Sequence, residues 1–107
     1  MRVTIRLLAV GLAVIVAGPA SAADHSIIQK DKAFSEKTLA IKVGDRITFS
    51  NADSITHNVF SATRGMEFDL RTQVPGQSST VPFSKAGSLL VECAIHPKMK
   101  LQVTVAP

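Results

Sequence analysis

The chain has 107 residues, 46% of them hydrophobic, which is a length for one domain and a composition that excludes a disordered protein. Twelve basic and eight acidic residues leave a formal charge of +4, and five phenylalanines are the only aromatic residues. Neither the basic balance nor the stacking surface of a nucleic-acid binder is present.

The first 22 residues read as a cleaved secretory signal. Arg2 and Arg6 supply a basic start, Leu7 to Ala17 an apolar run, and Ala20-Ser21-Ala22 a small-x-small cleavage pattern. A membrane helix needs about 20 apolar residues, and Gly18-Pro19 interrupts this run too early. The expectation is a signal peptide over 1–22 and one domain over 23–107, periplasmic, soluble and monomeric, with no membrane insertion of the mature chain. That mature chain retains 10 basic and 8 acidic residues.

From Ile27 the pattern turns strand-like. Leu39, Ile41 and Val43 alternate with Thr38, Ala40 and Lys42 before the turn residues Gly44-Asp45, and Ile47 and Phe49 continue the alternation, so a hairpin is predicted here. The stretch Ser50 to Ser54 is rich in turn formers. Val59-Phe60 makes a short apolar run, and Ser61 to Gln77 follows with little pattern. Stretches of that length are often functional or partly structured. Val81 and Phe83, Leu89 and Val91, and finally Leu101, Val103 and Val105 mark three more strands. Short strands divided by turns, without helical periodicity, predict an all-β antiparallel sandwich or barrel.

Cys93 is the only cysteine, so in an exported protein it is left to pair with another chain, to react as a free thiol, or to bind a metal. It opens the run Cys93-Ala94-Ile95-His96-Pro97-Lys98-Met99, which joins two predicted strands. A thiolate, imidazole and a thioether together suit copper: sulfur favours Cu(I), nitrogen serves both oxidation states, and a weak Met completes a trigonal site. Zinc seldom uses methionine. A second histidine must come from His25 or His57, and His57 is the better placed, after the turn at Asn51 to Ser54.

Several other residues read more simply. Met66 belongs to packing or surface, Asp53 to its turn, and Glu92 points to the face of its strand opposite Cys93. His25 carries a weaker possibility. Cleavage after Ala22 would expose Ala23-Asp24-His25, whose amine, amides and imidazole can hold Cu(II) in a square plane.

Val43-Gly44-Asp45, His57-Asn58-Val59 and Cys93-x-x-His96-Pro97-x-Met99 together resemble the cupredoxin family, the small blue copper proteins of the amicyanin, pseudoazurin and plastocyanin type. The likeness runs from about Ile27 to Val105. It implies a Greek-key β-sandwich and a type 1 copper site with His57, Cys93 and His96 as equatorial ligands and Met99 as the long axial one. Asn58 would form hydrogen bonds around that site, and His96 would be the solvent-facing ligand. Pro97 would lie in the contact patch, with Lys98 and Lys100 favouring acidic partners.

The chain departs from the family in having Val91 two positions before the cysteine, where an aromatic residue is frequent, and Leu101 two after the methionine, where glycine is. The function implied is one-electron carriage between redox partner proteins. The alternative is copper storage or delivery with the same four ligands. No catalytic role is expected, because three histidines are too few for the additional centres of multicopper oxidases or copper nitrite reductases.

Overall fold

A computed structural model describes residues 21–107, so the apolar run of the expected signal lies outside the described residues. Nine strands follow one another: β1 (Asp24–Lys30), β2 (Ala33–Phe34), β3 (Thr38–Lys42), β4 (Arg46–Asn51), β5 (His57–Ser61), β6 (Phe68–Gln73), β7 (Ser78–Pro82), β8 (Gly87–Cys93) and β9 (Lys100–Ala106). They form two sheets in the orders β2-β1-β4-β7 and β3-β9-β8-β5-β6, an all-β sandwich as the sequence predicts. Each sheet is mixed. β1 runs parallel to β4 and β3 parallel to β9, while the remaining pairs are antiparallel.

Those parallel pairs correct the hairpin expected at Gly44-Asp45. β3 and β4 do not pair; the chain leaves β3 in one sheet and enters β4 in the other. The turn is held by both layers. Val43 N–H donates to the Ala106 carbonyl at the end of β9, and Gly44 N–H to the Phe83 carbonyl just beyond β7. Gly44 takes φ +95°, a left-handed conformation that favours glycine. A hairpin and an arch present the same alternation of buried and exposed residues, so Ile41, Ile47 and Phe49 face inward either way.

The weakly patterned stretch after Ser61 contains β6, an edge strand paired with β5. His57 lies opposite Gln73 and Asn58 opposite Thr72, but after a register shift Phe60 lies opposite Asp69. Arg71 sits in this bulge at φ +57°. Phe68 and Leu70 are half-buried before the bulge and Gln73 is buried after it, so the inward face changes parity within six residues.

The interior is apolar from Ile27, Ile47 and Phe49 on one sheet to Val59, Val91 and Leu101 on the other, all fully buried. Phe49 stacks edge-on against Phe34 at 6.5 Å and lies 6.0 Å from Phe68, a geometry that aromatic quadrupoles favour. The buried amide side chains gather in one region. Gln29 Nε2 donates to Gln73 Oε1 across the sandwich at 2.6 Å, and Gln73 Nε2 donates to the Phe49 carbonyl at 3.1 Å. Asn51, equally buried, donates through Nδ2 to the carbonyls of Ile55 and Gln73, both at 2.9 Å. Gln29 Oε1 is the one buried side-chain oxygen of the cluster without a partner among the described residues; the other contacts of these amides tie the two layers together in one register.

Candidate metal centre

Three elements converge at the end of the sandwich beside Asn51. β5 begins with His57, β8 ends with Cys93, and the loop between β8 and β9 carries His96. Val59 is the ladder partner of Cys93, which places the first residues of β5 beside the last of β8. The loop is drawn tight by the Met99 N–H, which donates to the His96 carbonyl at 2.9 Å.

The donor atoms face one another. His57 Nδ1 lies 3.2 Å from His96 Nδ1, and Cys93 Sγ lies 3.8 Å from the first and 3.7 Å from the second. A point about 2.1 Å from all three atoms exists at the centre of that triangle, the length of a first-row metal–imidazole bond. Among the described residues, these are the histidine, cysteine and acidic side chains that gather into one metal-sized group. His57 and Cys93 are buried and His96 is half-buried, so one edge of one imidazole reaches solvent.

Hydrogen bonds prepare the donors. His57 Nε2 lies 2.8 Å from Asp53 Oδ2, so the ring donates its Nε2–H to the carboxylate and keeps the Nδ1 lone pair for the centre. Asp53 also accepts from the Lys32 N–H at 2.9 Å and from the Ser54 N–H at 3.2 Å. These bonds, the Lys32 amide first and then His57, hold the Asp53 carboxyl at about 2, well below the ordinary carboxylate range. The Asn58 N–H points at Cys93 Sγ from 3.4 Å. The Asn58 carbonyl accepts from Ala94 N–H at 3.2 Å, while its side chain turns outward to Asp69. It is thus the Asn58 backbone that meets the sulfur.

Met99 is 1% exposed, in the core immediately before β9. Glu92 points away from the centre, as its half-buried place between buried Val91 and Cys93 requires. Met66 packs partly buried against the core. His25 lies in β1 opposite Ile47, with its Nε2 2.8 Å from Asp45 Oδ2. Ala23, Asp24 and His25 are extended here, and a square plane of their nitrogens would require them to leave the ladder with β4.

Asp53 is the functional residue that the sequence reading missed, having placed it only in its turn. It does cap that turn, and the same side chain holds His57. The available signal was its position four residues before a candidate ligand, after a strand end. The rim of the centre is apolar: Ile95 is 54% exposed and Pro97 is exposed, on either side of His96. Asp31, Lys32 and Lys98 border the same shallow depression.

Residues 22–106 match a family described as copper binding proteins, plastocyanin/azurin family. Methylamine utilization protein MauL of Methylorubrum extorquens is 31% identical over 110 residues, covering 99% of this chain and 96% of its own. Amicyanin-alpha of the same organism is 30% identical over 105 residues, covering 95% of this chain and 87% of its own. A purple cupredoxin from Nitrosopumilus maritimus superposes with a TM-score of 0.68 at 27% identity, over 78% of this chain and all of the other.

Proposed function

The chain belongs to the plastocyanin/azurin family of copper-binding proteins, and from that premise we propose that it is an exported one-electron carrier whose copper is held by His57, Cys93, His96 and Met99. The observation that carries this reading is the triangle of two imidazole nitrogens and one thiol sulfur, 3.2 to 3.8 Å on a side and mostly buried. Two nitrogens and one sulfur match the donor set of a blue copper site, and Met99, buried three residues after His96, is assigned as its weak fourth ligand.

Bound copper supplies a one-electron couple between Cu(I) and Cu(II). The chain's own residues do the rest. Cys93 and His57, both buried, keep water from the centre. Asp53 fixes the His57 tautomer and the orientation of its ring. The Asn58 N–H meets Cys93 Sγ and helps hold the sulfur in place. Because the donors are anchored on β5, on β8 and in a tight loop, little rearrangement accompanies electron transfer.

His96 is the one donor with an edge near solvent, so we assign it the electron's exit. Ile95 and Pro97 around it form the contact surface for redox partner proteins, whose identity is a separate question. Lys32, Lys98 and Lys100 favour acidic partners. The signal over 1–22, the soluble periplasmic domain over 23–107 and action as a monomer belong to the same reading. We assign no catalytic step: His57 and His96 face one centre and His25 is bound to Asp45, so a second copper centre has no histidine left in the described residues.

Copper storage or delivery would use the same ligands, but the burial of His57 and Cys93 opposes ready ligand exchange. Voltammetry of the copper-loaded protein, with copper assayed before and after, separates the two. Carriage predicts repeated reversible one-electron cycles without metal loss. Transfer of Cu(I) to a chelating acceptor within a few turnovers would support delivery instead.

A further inference from the structure

At the Arg46 end of β4, away from the metal centre, Asp45 gathers three donors. Its Oδ1 accepts from the Ala23 N–H at 2.9 Å, and its Oδ2 from the Lys42 N–H at 3.0 Å and from His25 Nε2 at 2.8 Å. The residue is 6% exposed. Ala23 is fixed from its other side too, because its carbonyl accepts from the Arg46 N–H at 3.0 Å, where the β1–β4 ladder begins. Ser21 and Ala22, immediately before it, are exposed and outside any strand. Ala23 is likewise exposed and just outside β1, but it is tied into the fold through both its N–H and its carbonyl.

The sequence marks the bond before Ala23 by an unrelated rule. Ala20-Ser21-Ala22 fits the small-x-small pattern of signal cleavage, which cuts after Ala22. We propose that hydrolysis of the Ala22–Ala23 peptide bond creates the amino terminus that Asp45 is placed to receive, so that the mature terminus is an integral part of the fold. The step consumes one water. The Ala22 carbonyl leaves as a carboxylate, and the Ala23 nitrogen becomes a primary amine, protonated at neutral pH.

Before cleavage the Ala23 nitrogen offers Asp45 a neutral amide N–H. After cleavage it offers an ammonium at the same place, which sets a full positive charge against a carboxylate that already strengthens the bond, and so adds a Coulomb attraction the neutral amide lacks. Asp45 is suited to this: its carboxyl is held at about 2, first by the Ala23 N–H, then by His25 and the Lys42 N–H. The other charged groups facing the site are Lys42, which is exposed, and Asp24 with Arg46, which pair with each other at 2.7 Å. The contact ties the first residue of the mature chain to the β3–β4 arch, and through it β1 to both sheets.

This inference shares with the proposed function only the premise of export and needs no copper. Mass spectrometry of the exported protein should find Ala23 as the first residue. A mature chain beginning elsewhere, or left uncut, would overturn the inference while leaving copper binding to its own test. Thermal unfolding then measures the charge. A chain beginning at Ala23 should melt about 4–8 °C above one that keeps Ser21-Ala22. The Nα-acetylated form of the Ala23 chain, with Asp45 intact, should fall by a similar amount. Equal melting of the free and acetylated chains would refute the role of Asp45. Asp45→Asn, where it folds, should abolish the difference.

Discussion

Asn51 is the residue on which the metal end of the sandwich turns, and its loss can be worked out bond by bond. Its Nδ2 donates to the carbonyls of Ile55 and Gln73, and its Oδ1 accepts from the Asp53 N–H at 2.9 Å. In Asn51→Ala the Gln73 carbonyl, on a buried residue, loses this donor at a cost of about 1–3 kcal/mol. The Ile55 carbonyl and Asp53 N–H, on half-buried residues, each lose about 0.5–1.5 kcal/mol. Water entering the space recovers part of this, so the net loss is roughly 2–4 kcal/mol, a large share of the 5–15 kcal/mol typical of a small domain. Urea denaturation of the copper-free protein should show the midpoint falling with an unchanged slope. Because the loop from Ala52 to Thr56 carries Asp53 to His57, the variant should also bind copper more weakly. A loss below about 0.5 kcal/mol, the range of ordinary surface substitutions, would refute the assignment of Asn51 as the clamp of this loop.

Two further outcomes follow from the carboxylates. Asp53→Asn keeps the size of the side chain but removes the charge that faces His57, and loss of such a partner typically weakens metal binding by about 10–100-fold. Competition titration with a Cu(II) chelator would detect this, and unchanged affinity would show that the Asp53 contact does not support the ligand. Asp45 and Asp53 are both held at about 2 in the folded protein, below the ordinary aspartate range. Depressed carboxylates stabilise the fold above their unfolded pKa, and that stabilisation disappears as pH falls from about 4 toward 2. Melting temperature should therefore fall steeply in that window and less steeply in Asp45→Asn; parallel curves would contradict it.

Much of the site was legible because its residues are adjacent in sequence or share one chemistry. Cys93, His96 and Met99 lie within seven residues, and three soft or borderline ligand types in one loop have few other readings. His57 was found by its place after a turn. The partnership of Asp53 with His57 was not legible, because an aspartate in a run of turn formers is fully explained by the turn, and only the folded loop shows that one carboxylate does both. The strands were legible wherever period two held without interruption, as in β9. β6 was hidden by its bulge at Arg71, which changes the parity of the inward face between Leu70 and Gln73. The β3–β4 arch was hidden for another reason: alternation records which face is inward but not which sheet a strand joins. That choice is made by contacts distant in sequence, from Val43 to Ala106 and from Gly44 to Phe83.

The central claim is that His57, Cys93 and His96, with Met99, hold one copper ion through a thiolate bond. Cu(II) added to the purified, copper-free mature protein tests it, with visible and EPR spectra recorded for the natural sequence and for Cys93→Ala. One equivalent should develop an intense blue thiolate-to-copper band in the natural sequence and none in Cys93→Ala. With no Trp or Tyr in the chain, that band should dominate the spectrum. A colourless product, with Cys93 verified as a free thiol, would contradict the account.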